Sequence, residues 1–211
     1  MDKVEDPLKP LDEIREPDER SHNFVAGLED NHAELNDIVL NDAVPLEVRQ
    51  LFETAKNLSL YSWFVYRFHQ VAELVSFTAL EMALRERYQK ENPQNEKRLM
   101  LRKLLTHAKS QGWIKEENFS GRMGRARHAA EMKKIHELMQ SQDGEGIPVM
   151  EIPEPTEAEI QEALKTINMV DSVVKAGPEI RNILGHGSSM LHPNSITTLK
   201  INAEVINQLF P

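Results

Sequence analysis

The chain has 211 residues, 40% hydrophobic and 28% charged, which fits one soluble globular domain with additions. It contains no cysteine, so disulfides and thiolate metal sites are excluded, in keeping with a reducing, cytoplasmic setting. The net charge of −9 is unevenly placed. Residues 1 to 42 hold 13 acidic and 4 basic side chains, and the remainder is neutral.

With Pro7, Pro10 and Pro17 and few aromatics, residues 1 to 42 read as an acidic N-terminal arm, flexible or folded only on a partner. Its opening, MDKVEDPLKPLDEIREPDER, lacks the apolar core of a signal peptide. From Pro45 onward the hydrophobic spacing is helical. Val48, Leu51, Phe52, Ala55 and Leu58 recur at three and four. The stretch 60 to 89 is apolar nearly all round, and its pattern predicts the central helix. It is long enough for a membrane span, but Arg67, Glu73 and Glu81 would be costly at membrane depth, so no membrane is expected.

Over 97 to 111, Leu101, Leu104, Leu105 and Ala108 make a stripe, with Gly112 as a stop. A second stripe, Ala129, Met132, Ile135 and Met139, crosses 125 to 141. Residues 98 to 134 hold ten Lys/Arg and three Glu, a local +7. Within them FSGRMGRARH offers Arg122, Arg125 and Arg127 as contacts for an RNA backbone. The competing readings are a solvated loop or a dock for the acidic arm.

SQDGEGIPVMEIPEP is a Gly/Pro-rich loop, with Ile147 to Ile152 as a possible short strand. Thr156 and Glu159 then form a capping box that starts a helix to about Ala176. Gly177 is expected to end it and Pro178 to open the next. Leu199, Ala203, Ile206 and Phe210 share a face of the closing helix. The expected fold class is all-α: a bundle of about four long helices with one or two shorter ones in 112 to 154.

The segment PEIRNILGHG holds the chemistry-bearing residues. Asn182 and His186 are four apart and share a face, with Arg181 about 100° around from Asn182. Ile183 and Leu184 are expected to point into the core. Arginine forks onto phosphate oxygens and histidine moves protons at physiological pH. Together they suit metal-free RNA cleavage. Spacing alone leaves open the alternative that they only finish a helix. On the 60 to 89 helix, Gln70, Glu73, Glu81 and Arg85 lie within an arc of roughly 120°. Either Glu73 or Glu81, Glu81 foremost, pairs with Arg181 or His186, or Glu81 pairs with Arg85. The histidines, His186 and His192 included, lack metal-ligand spacing, so neither metal nor cofactor is expected.

RNILGHG resembles the signature of the HEPN family: Arg, a polar residue, a short spacer, then His. FTALEMALRERY resembles the acidic helix that precedes it, and AEVINQLF the closing helix. The resemblance covers about residues 45 to 211 and leaves the arm unexplained. It implies a HEPN-like helical bundle with an insertion at 112 to 154, which departs from a minimal HEPN bundle. It also implies a homodimer whose two motifs meet in one cleft, with Arg181, Asn182 and His186 at the motif positions. The implied activity is metal-independent RNA cleavage in a toxin–antitoxin or phage-defence setting, with an antitoxin or other protein as a further partner. The alternative is an inactive HEPN module that binds RNA or a partner protein.

Overall fold

The computed structural model describes residues 6–23, 27–95, 99–140, 153–187 and 191–211. The described residues form eight α-helices and two 3-10 turns, with no strand among them. The helices are α1 (Leu28–Asp37), α2 (Leu46–Tyr61), α3 (Phe68–Glu91), α4 (Leu101–Ser110), α5 (Arg122–Gln140), α6 (Glu157–Leu164), α7 (Met169–His186) and α8 (Ser195–Leu209). The all-α expectation is met. No helix among the described residues is long and apolar enough to cross a membrane.

α3 is the axis of the bundle, with α2, α4, α7 and α8 packed around it. Phe77, Ala79, Leu80, Ala83 and Leu84 of α3 join Val48 and Phe52 of α2, Leu104 and Leu105 of α4, and Leu199 and Ile206 of α8 in one core. The α4 stripe and the α8 face are buried as their spacing indicates. α5 and α6 form a separate small hairpin around Ala126, Ala130 and Ile160.

Five expectations change. The apolar stretch from residue 60 is not one helix: α2 ends at Tyr61 and a corner precedes Phe68. The N-terminal segment satisfies backbone groups that this corner frees. Asp18 N–H donates to the Trp63 carbonyl at 2.9 Å, Ser21 Oγ donates to the same oxygen at 3.0 Å, and the Asp18 carboxylate accepts from Tyr66 N–H at 3.3 Å. Second, the arm does not stay apart from the core through residue 42, because α1 and the turn after it bury Leu35, Ile38 and Leu40. The ion pairs formed by its described acids are Asp6 with Arg20 and Arg67, Asp18 with Arg20, and Asp42 with Arg49, so none of them docks on the 98 to 134 bases.

Third, α5 is a 19-residue helix whose buried positions are Ala126 and Ala130, while Met132 and Met139 face solvent. Small side chains let α6 approach closely, which a stripe chosen by side-chain size overlooks. Fourth, the helix opened by Thr156 stops at Leu164. The capping box itself is present, with Thr156 N–H donating to Glu159 Oε2 at 2.6 Å and Glu159 N–H to Thr156 Oγ1 at 3.4 Å. Fifth, α7 passes straight through Gly177 and Pro178. A Cβ at Gly177 would sit 3.5 Å from Phe77 and 3.7 Å from Leu105, so this glycine marks close helix packing and not a stop. The possible strand at 147 to 152 lies outside the described residues.

Candidate functional site

The N-terminus of α7 is fixed by two acceptors. Asn168 caps it, its side-chain oxygen accepting from Asp171 N–H at 2.7 Å. The Glu116 carboxylate reaches across from another segment and accepts from Met169 N–H at 2.8 Å and Val170 N–H at 2.7 Å. These bonds satisfy donors that the first turn leaves open, and negative charge there suits the helix dipole. The far end stops at Gly187, whose φ of 88° is easy only for glycine. Gly187 therefore ends the helix, one part of the role that spacing left open.

Arg181, Asn182 and His186 occupy the last turns of α7. Arg181 Nη2 donates to Glu81 Oε2 at 3.5 Å, and the other Glu81 oxygen holds Arg85. Glu81 is buried, so both proposed pairings of this acid occur at once, and it links α3 to the motif. Arg181 is about one-third exposed, and its Nε finds no acceptor among the described residues. The side chains of Asn182 and His186 face solvent and form no hydrogen bond with a described residue. Leu184 packs partly against the core, but Ile183 is 56% exposed and does not point inward as expected. Helical geometry explains the difference: Ile183 lies about 100° from Asn182 and 60° from His186, on their open side.

Glu73 is not brought to Arg181. It is buried on α3, where its carboxylate accepts from Thr198 Oγ1 of α8 at 3.1 Å. Burial pushes its pKa up, against the Thr198 hydrogen bond and the nearby His192. Gln70 and Arg85 share its helix, and Arg85 pairs there with Glu81.

Of the three arginines expected to meet RNA, Arg122 is largely structural. It is half-buried, with Nη2 donating to the Leu164 carbonyl at 3.4 Å and Nε 3.8 Å from the Glu116 carboxylate. Arg125 and Arg127 are exposed and have no ion-pair partner among the described residues. Much of the remaining +7 is neutralised locally: Arg102 pairs with Glu179, Lys109 with Asp171 and Lys134 with Glu159. No group of three metal-ligating side chains occurs among the described residues.

Two features went unnoticed in the sequence. One is the Glu116 cap, 53 residues from its partner and without a local signal. The other is a pocket between α7 and α8, lined by Phe77, Arg125, Ile180, Thr198 and Asn202 among others. Thr198 and Asn202 stand four apart on α8, and that polar spacing was the available signal.

Compared with known proteins, the chain matches no protein-family model, no curated protein and no solved structure.

Proposed function

We propose that the protein is a metal-independent endoribonuclease of HEPN type, acting as a homodimer in which the α7 ends of two copies form one cleft. The observation that carries this reading is the unspent hydrogen-bonding capacity of the motif. Arg181 has five donors and makes one side-chain hydrogen bond among the described residues, at 3.5 Å, while Asn182 and His186 face solvent on neighbouring positions of α7. Glu81, buried and shared with Arg85, orients the guanidinium without enclosing it.

The helix geometry supports a second copy. Arg181 and His186 lie roughly 140° apart around α7, so one chain cannot close both on a single phosphate. The exposed Ile183 flanks the motif and suits burial against a partner copy. In such a cleft one His186 takes the proton from a ribose 2′-hydroxyl as that oxygen attacks the adjacent phosphorus. The bond to the 5′-oxygen breaks, and the second His186 gives that oxygen a proton. Arg181 steadies the charge on the five-coordinate phosphorus.

His186→Ala, with an unchanged helical spectrum, is expected to reduce cleavage of unstructured RNA roughly 10²–10⁴-fold. Arg181→Lys is expected to fail as well, because an ammonium cannot fork onto two oxygens. Cleavage that survives His186→Ala defeats the reading. A wild type that binds RNA and never cuts it selects instead an inactive binding module.

A further inference from the structure

We infer that the pocket between α7 and α8 is a subsite for one pyrimidine base of single-stranded RNA, with Arg125 on the phosphate attached to it. The inference rests on the proposed ribonuclease reading and adds the substrate preference.

The pocket holds about 130 Å³. That is near the roughly 150 Å³ of a protein cavity known to take a benzene ring, the scale of one six-membered ring. Its walls are Phe77 of α3, Met169, Val173, Ala176 and Ile180 of α7, and Ile201 of α8. These apolar groups suit the two faces of a base. Polar groups sit where a base has its edges: Ser172 on α7, and Thr198 and Asn202 on α8. Asn202 is held in place by Nδ2 donating to Ser76 Oγ at 2.8 Å, and Thr198 by donating to Glu73. A fixed amide and a fixed hydroxyl can read the Watson–Crick edge of an unstacked base.

Arg125 is the only cation among the described residues of the lining. It is exposed and lacks an ion-pair partner among the described residues, whereas its neighbour Arg122 is committed to Glu116 and Leu164. A lone guanidinium at the mouth of an apolar slot calls for a ligand with a planar apolar body and an anionic end. A nucleotide has both. The position also connects to the motif. From Ile180 at the pocket, Ile183 lies about 60° around α7 and His186 about 120°. The pocket and the motif histidine thus lie toward one side of α7, about 9 Å apart along its axis.

The test uses the full chain and two measurements. Binding of uridine 5′-monophosphate is measured by titration calorimetry, with adenosine 5′-monophosphate, ribose 5-phosphate and benzoate as comparators. Uridine 5′-monophosphate is expected to bind best, roughly tenfold more weakly in Arg125→Ala, and not at all in Ala176→Phe, where a ring on an exposed α7 position covers the slot. Equal binding of the adenosine nucleotide or benzoate, or binding unchanged in Ala176→Phe, overturns the subsite. Cleavage mapping of a mixed-sequence RNA separates this from the parent reading. Cutting with no pyrimidine preference sinks the subsite and leaves the ribonuclease standing. Uridine nucleotide binding that Ala176→Phe abolishes, with no cutting by the wild type, sinks the ribonuclease and leaves the subsite.

Discussion

At the scale of single residues, the most constrained group is His69, which is buried where α2, α3 and α8 meet. Ser62 Oγ donates to the Ser59 carbonyl at 2.6 Å, so its hydroxyl hydrogen is committed. His69 Nε2, 3.1 Å from Ser62 Oγ, must then be the donor. That leaves Nδ1 as an acceptor, filled by Ser195 Oγ at 2.7 Å, and Ser59 Oγ in turn donates to Ser195 at 2.6 Å. Each member has one direction only, and a second proton on the ring would face the Ser195 oxygen only by reversing that donor. Burial lowers the His69 pKa to about 4, below its ordinary 6.5. The unfolded chain takes up this proton below 6.5 and the folded protein only near 4. Stability therefore falls as pH drops through that window, by at most about 1.4 kcal/mol per pH unit from this group. Urea titrations at pH 7 and pH 5 should show the loss in the wild type and a smaller one in His69→Gln. Equal losses would remove His69 as the cause. None of this was legible in the sequence, because Ser195 and His69 are 126 residues apart and neither belongs to a pattern. The Glu81–Arg85 pair, by contrast, could be read from four-residue spacing alone.

At the scale of elements, α4 and α8 were readable because their buried positions are large and evenly spaced. α7 was not, since Gly177 and Pro178 carry the local marks of a helix boundary. Pro178 brings no N–H to the Val174 carbonyl, yet it is buried together with Gly177 and the helix continues across it. The start of α7 depends on Glu116. In Glu116→Ala the Met169 and Val170 N–H groups lose their acceptor and Arg122 loses its carboxylate. A loss of roughly 1–2 kcal/mol is expected, the usual scale for a helix cap, with the melting temperature lowered and the helical spectrum retained. A melting temperature equal to that of the wild type would show that Asn168 alone suffices.

At the scale of the whole molecule, charge proved a poor guide to where the fold begins. The acidity of residues 1 to 42 suggested a segment outside the core, yet Leu35, Ile38 and Leu40 are buried against it. Three apolar side chains at roughly 1.5–3 kcal/mol each outweigh a compositional average. Removal of residues 1 to 42 should thus destabilise the protein by several kcal/mol, visible as a lower urea midpoint. An unchanged midpoint would restore the detached arm. The motif was legible because three residue types at fixed spacing need no tertiary information, and the pocket was not because four helices build it. The central claim, that the α7 motif cuts RNA through the ribose 2′-hydroxyl without metal, is tested most directly by the end groups of the products formed in EDTA. The account predicts a 2′,3′-cyclic phosphate and a 5′-hydroxyl from the wild type, no cut at a 2′-deoxy position, and roughly 10²–10⁴-fold less product from His186→Ala. A 5′-phosphate product, or activity that disappears in EDTA, would contradict it.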